Sequence, residues 1–255
     1  FQREKIDNLS KNISIINKIN RVLKNYDEIR IIDLGTGTGS NFRYLSKKIK
    51  FKNQFWTLMD LSKSSLNQAK KNIVTNNKIK KIILKHDDII KNIQQHNFED
   101  YDLVTGSAFL DIMPFDWFKK FYIKNKNTKL VYFSINYDGY IKFYPKHNLD
   151  RDILQLFNND QKSKKNNKTR AVGPDCSNII NRCFSKTHKC YLFKSDWIDV
   201  KNKNFQLMFL DFCENIIKKN RKTNFSEWLD FRKENIIKNN SKLSVSNKDF
   251  LAIKI

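Results

Sequence analysis

Short apolar runs alternate along this chain with stretches whose apolar residues recur at helical spacing, and that alternation predicts its elements. Ile29, Ile31 and Ile32 form a run that closes on Asp33. Residues 55–60 (FWTLMD), 81–88 (KIILKHDD), 101–109 (YDLVTGSAF) and 130–139 (LVYFSINYDG) repeat the pattern. Phe42, Leu45 and Ile49, and then Leu66, Ala69 and Ile73, fall on helix faces between them. Strands alternating with helices predict an α/β fold: a doubly wound, mostly parallel sheet with helices on both faces. Before the first strand, Ile6, Leu9, Ile13, Ile16 and Ile19 line one face of a single helix. After the fifth, residues 190–194 read as a sixth strand. Two amphipathic helices follow, carrying Phe205, Met208, Phe209, Phe212 and Ile216, then Phe225, Trp228, Leu229 and Ile236. Aromatics at such spacing read as core. Residues 249–255 (DFLAIKI) read as a seventh strand.

The first of these junctions carries the chemistry. In DLGTGTG an acid, Asp33, precedes glycines at alternate positions, Gly35, Gly37 and Gly39. Glycine accepts positive φ and lets a ligand lie on the backbone. The spacing is not G-x-G-x-x-G, in which a pyrophosphate sits on the helix N-terminus. A carboxylate beside the turn would repel phosphate but can pair with an ammonium group, which points to S-adenosylmethionine. Asp60, about 25 residues after the first glycine, stands near the offset at which such folds place an acid on ribose hydroxyls.

With DLGTGTG, Asp60, HDD at 86–88 and DLVTGSAFLD at 102–111, residues 28–136 resemble the class I, Rossmann-like S-adenosylmethionine-dependent methyltransferases. The resemblance implies seven strands with the last antiparallel between the fifth and sixth, S-adenosylmethionine as cofactor and S-adenosylhomocysteine as product. It implies that Asp33, Gly35, Thr36, Gly37, Gly39 and Asn41 hold the methionine portion, and that Asp60 with Leu61 holds the ribose. Asp88, or else Asp87, would face the adenine, and Ser107 would pass beneath the sulfonium. Four segments follow: an N-terminal helix (1–28), the cofactor-binding core (29–136), an insert forming a substrate wall (137–188), and the rest of the sheet with two extra helices (189–255).

Composition changes this picture little. Lys and Arg number 49 against 26 acids, a net charge of +23, which by itself favours a nucleic-acid partner. The chain is also rich in Asn, Ile and Phe and prefers Lys to Arg, so lysine reads as the default solvated residue. The densest run, Lys162, Lys164, Lys165 and Lys168, reads as a loop. No Asn/Asp-Pro-Pro-aromatic motif follows the fourth strand, which counts against methylation of base or glutamine amino groups. Cys176, Cys183 and Cys190, with His188 nearby, lack the two-to-four-residue pairing of zinc ligands, so they read as core and no metal is expected. No run reaches the ~18 apolar residues of a membrane span, and the charged first residues are unlike a signal peptide. A cytoplasmic monomer or homodimer is the expectation.

The acceptor is expected to be a small polar or anionic metabolite. Asp111 and Asp138, just past the fourth and fifth strands, are the carboxylates nearest the methyl group and the candidate bases, with His147 a weaker one. Tyr137, Asn158, Gln161 and Arg170 are candidates for binding the acceptor, Arg170 because a guanidinium can hold a carboxylate or phosphate with two bonds. Two other classes stay open. An RNA methyltransferase would use the basic surface and bind in a salt-dependent way. A non-catalytic S-adenosylmethionine-binding protein would have kept only the fold.

Overall fold

The computed structural model describes residues 2–51, 53–74, 76–165, 169–220 and 225–255. Its parallel strands are β1 (Glu28–Leu34), β2 (Asn53–Asp60), β3 (Ile79–His86), β4 (Leu103–Ser107) and β5 (Leu130–Tyr144). Two short strands, β6 (Lys164–Lys165) and β7 (Thr169–Arg170), pair separately. The main sheet is completed by β8 (His188–Lys194), β9 (Trp197–Val200) and β10 (Lys242–Lys254). Its order is β3-β2-β1-β4-β5-β10-β8, and β10 runs antiparallel between β5 and β8, where the last strand was expected. The chain reverses its winding between β1 and β4, so the crevice of the fold opens at the carboxyl ends of these strands.

The helices are α1 (Gln2–Ser10), α2 (Ile13–Val22), α3 (Ser40–Lys48), α4 (Lys63–Lys71), α5 (Phe115–Asn125), α6 (Asp150–Gln161), α7 (Cys176–Phe184), α8 (Lys203–Lys219) and α9 (Ser226–Ile237). Alternation along the strands sorts their side chains to two faces. Ile32, Leu34, Val104, Val131 and Phe133 pack with Phe118 and Phe121 of α5 and Ile180 and Phe184 of α7. Ile29, Ile31, Leu58, Leu103 and Tyr132 pack with α2 and α3 through Ile15, Ile19, Phe42 and Leu45. A third cluster joins β5, β9 and β10 to α6, α8 and α9 at one end of the sheet. Cys176 is fully buried in the α5–α7 layer, with Cys183 and Cys190 packed against it, and His188 Nε2 donates to the Thr128 carbonyl at 2.9 Å.

Several expectations are corrected. The N-terminal helix is two helices, because the Asn12 side chain accepts the Ser14 N–H and starts α2 afresh. Leu9 and Ile13 are consequently exposed rather than on the buried face. β5 runs five residues past Gly139, so Tyr137 and Asp138 lie within the strand instead of beyond it. The reason is β10, which begins at Lys242 rather than Asp249 and carries the pairing on to Tyr144. β9 was not foreseen. Lys168 lies outside the described residues. Among the described residues no helix is long and apolar enough to cross a membrane.

Candidate functional site

The glycine turn is built by polar groups that answer one another. Asp33, next to last in β1, is wholly buried and accepts from Thr36 Oγ1 at 2.7 Å and Asn41 Nδ2 at 2.8 Å. Burial pushes its carboxyl up to about 6, against the pull of those two hydrogen bonds. Asp60 closes β2 and accepts from the Gly37 N–H at 2.7 Å and the Ser62 N–H at 2.8 Å. The Thr36 N–H donates to the Met59 carbonyl at 3.0 Å. The turn is thus clamped from β1 and β2, at the sheet's carboxyl edge.

Gly35 and Gly37 both need positive φ, +62° and +54°, but for different surroundings. A Cβ on Gly35 would come within 2.4 Å of the buried Phe109 ring. A Cβ on Gly37 would meet nothing within 4 Å, so the turn faces open space there. That open space is bordered by Asp60.

The other cofactor candidates divide. Asn41 is buried, and its amide is used inside the protein, on Asp33, on Thr105 Oγ1 at 3.2 Å and on Lys11 Nζ at 3.0 Å. Asn41 therefore braces the turn from within. Asp33 likewise shapes the turn from beneath. Leu61 is half exposed, and its carbonyl accepts from His86 Nε2 at 2.8 Å. Asp88 Oδ1 accepts the Ile90 and Lys91 N–H groups and so holds the turn after β3. Asp87 accepts from Asn92 Nδ2 at 2.7 Å and lies 3.1 Å from His96 Nε2. Burial would raise the Asp87 carboxyl, but Asn92, His96 and Lys85 together hold it below its ordinary range. Ser107 ends β4 opposite Ser134, next to Ala108.

Beyond Ala108 opens a cleft of about 520 Å³. Asp111 and Ile112 border it after β4, Ile135 and Tyr137 from β5, and Phe157 and Gln161 from α6. Trp197 of β9, Asn247 of β10 and Arg3 of α1 close it, and α8 supplies a wall of Phe205, Met208, Phe209 and Phe212 together with Asp211. Two residues on its rim are held at positive φ without being glycine, Ala108 at 50° and Ile135 at 54°. Such backbone costs on the order of 1–3 kcal/mol and gathers where geometry serves function. Asp249, wholly buried, offsets the cost at Ile135 by accepting its N–H at 2.8 Å, and it also takes the Tyr132 hydroxyl and the Asn12 N–H at 3.1 Å.

The acceptor candidates are only partly brought together. Tyr137, Gln161 and Asp111 line the cleft. Burial drives the Tyr137 hydroxyl far above its ordinary pKa, so it stays neutral, and it donates to Asn158 Oδ1 at 2.8 Å. Asn158 in turn donates to the Gly139 carbonyl, bracing the wall without lining it. Asp138 pairs with Lys248 at 2.8 Å and is not among the lining residues. Arg170 is exposed on β7, away from the lining, and His147 Nδ1 accepts the Leu149 N–H, also outside it. Sequence reasoning missed the α8 wall, Trp197 and Arg3. The only signal was the aromatic spacing of α8, which suits a core equally well.

Residues 31–123 match the family model of a methyltransferase domain. No curated protein matches the chain. A cyclopropane synthase from Mycobacterium tuberculosis superposes with a TM-score of 0.50 at 11% identity, over 94% of this chain and 83% of its own. A cyclopropane-fatty-acyl-phospholipid synthase-like protein from Lactobacillus casei gives 0.56 at 8%, over 94% and 90%. A methyltransferase from Geobacter sulfurreducens, solved with S-adenosylhomocysteine, gives 0.46 at 10%, over 96% and 92%. At these identities the first two show a shared fold. The domain match makes residues 31–123 a methyltransferase domain, and the chain shares the fold of those two structures.

Proposed function

We propose that the chain transfers a methyl group from S-adenosylmethionine to a small molecule held in the cleft beside Ala108. One observation carries this reading: the cleft begins where β4 ends, at Ala108 and Asp111, and is walled by aromatic and aliphatic side chains. In this reading the cofactor's amino-acid end lies over the turn at Gly35, Thr36, Gly37 and Gly39. Asp60 takes the ribose hydroxyls on the lone pairs its two backbone bonds leave free, and Asp87 and Asp88 border the adenine. The group that leaves is already a good one, so fixing the acceptor atom about 3 Å from the methyl supplies much of the acceleration.

A volume of about 520 Å³ suits a metabolite-sized ligand. The lining supports an acceptor with a flat or apolar body and a polar end. Its charges are two carboxylates, Asp111 and Asp211, against one guanidinium, Arg3, which favours a neutral or cationic end over an anionic one. Among the candidate bases Asp111 is the better supported, since it borders the cleft while Asp138 is held by Lys248. Its part is to take the proton of a hydroxyl acceptor or to hold an amine. The same acidic, apolar lining gives the RNA reading less support, because a phosphate backbone would find no row of cations there.

The test is a screen of small amines, phenols and alcohols for transfer of a radiolabelled methyl group, repeated with Phe212→Ala and Asp111→Asn. Phe212 is about two-fifths exposed, so its loss leaves the fold intact. It is expected to raise the acceptor KM about tenfold, the worth of one aromatic contact, with cofactor affinity unchanged. Asp111→Asn is expected to lower kcat by 10²-fold or more. Methylation of RNA, falling steeply with salt, would contradict this reading.

A further inference from the structure

A wholly buried carboxylate calls for a counter-charge, and the acid of the glycine turn draws its own from the N-terminal segment. Lys11 stands at the break between α1 and α2 and is 5% exposed. Its ammonium lies 3.0 Å from Asn41 Oδ1 and 4.6 Å over the Tyr44 ring. The Nδ2 of that same Asn41 donates to Asp33. Ammonium, amide and carboxylate thus form one buried line from the N-terminal segment to the cofactor turn.

Other acids face Lys11, and each has donors of its own. Glu4 takes two bonds from Arg43, at 2.9 and 2.6 Å. Asp7 takes Arg3 and the Trp197 indole, both at 3.0 Å, and Asp249 takes Ile135, Tyr132 and Asn12. Among the described residues Asp33, like Asp249, has only neutral donors, and the charge of Asp60 acts against the ionisation of Asp33. Lys11 is the cation whose field acts in its favour. Burial brings Lys11 down to about 8 and Asp33 up to about 6, so both are charged at neutral pH with little margin.

We propose that Lys11 is a positioning residue for the cofactor turn: acting through Asn41, its ammonium keeps Asp33 an ionised acceptor for both Thr36 and Asn41, and so sets the turn for S-adenosylmethionine. A protonated Asp33 would still accept from Asn41 on one oxygen but would have to donate to the Thr36 hydroxyl from the other, reversing that bond and taking the charge from both. The Thr36 contact is the one that ties the backbone between Gly35 and Gly37 to β1. The proposal rests on reading residues 33–41 as the cofactor site.

The experiment follows the Asp33 carboxyl by carbon-13 NMR against pH without ligand, and S-adenosylmethionine binding by calorimetry, in wild type, Lys11→Gln, Lys11→Met and Lys11→Arg. Lys11→Gln keeps a donor for Asn41 but no charge, and serves if Lys11→Met does not fold. Either neutral variant is expected to move the Asp33 midpoint up from about 6 by roughly one unit, tenfold in proton affinity. Each is expected to weaken cofactor binding at neutral pH by about tenfold, with recovery as pH rises past the new midpoint. Lys11→Arg is expected to stay close to wild type in both. In an Asp33→Asn background, removing the Lys11 charge should cost no further affinity. An unmoved midpoint, or a loss of affinity equal at every pH, overturns the proposal. Wild-type protein that binds no S-adenosylmethionine overturns the site reading, while the ligand-free midpoints still judge Lys11 separately.

Discussion

The glycine turn and the cleft, which the proposed function makes the cofactor and acceptor sites, lie side by side at one sheet edge and are made in opposite ways. The turn draws its shape from one stretch of chain, residues 33–41, with Asp60 from the neighbouring strand, and its contacts run through backbone groups and short polar side chains. The cleft draws its walls from α1, β5, α6, α8, β9 and β10, and its contacts are rings and aliphatic chains. The first is a local device that any acceptor chemistry can use. The second is assembled only by the tertiary fold, and in the proposed function it is where the choice of acceptor resides. The family match spans 31–123, which takes in the turn and stops before most of the cleft's walls.

The sharpest way to break this contrast is inside the turn. Gly35→Ala puts a methyl 2.4 Å from the Phe109 ring, which stacks on Phe133 and meets Trp117 edge-on and so cannot yield. Together with the left-handed backbone, this is expected to cost about 3 kcal/mol of folding stability, read by urea or thermal unfolding. Gly37→Ala meets no such contact and is expected to cost about 1 kcal/mol. Its methyl enters the space assigned to the cofactor, so affinity for S-adenosylmethionine should fall by about tenfold, or 1.4 kcal/mol. If the two glycines lost stability and affinity alike, the turn would be no more than a tight corner.

A milder change tests the cleft. Tyr137→Phe removes the bond to Asn158, with an expected loss of about 1 kcal/mol in stability. Acceptor KM should change while cofactor affinity does not, which steady-state kinetics and calorimetry separate. A drop in cofactor affinity here would mean that the two regions are not independent.

The same contrast explains what could be read from sequence. Asp33, the three glycines and the acids at strand ends were legible because glycine spacing and strand termini are local constraints. The mostly parallel, doubly wound sheet was legible because strands alternated with helices. The break at Lys11–Asn12 was hidden by isoleucines that keep helical spacing straight across it, although Asn12 is a capping residue. Gly139 reads as a strand end, yet Ile141 and Phe143 continue the buried alternation once β10 pairs beyond it. Phe209 and Phe212 look like core from their spacing, because spacing gives a face and not what the face meets. Asn41 and Arg170 were placed by residue type, and their partners, a buried lysine and open solvent, depend on distant chain.

The central claim is that the glycine turn with Asp60 binds S-adenosylmethionine. Its most direct test is calorimetric titration with S-adenosylmethionine and S-adenosylhomocysteine, of wild type and of Asp60→Ala. Asp60 offers charged acceptors to two hydroxyls at about 1.5–3 kcal/mol each, so the substitution should weaken both ligands about 100-fold or more while the protein stays folded. Folded wild-type protein that binds neither ligand, or an Asp60→Ala variant that binds as wild type does, would contradict the account.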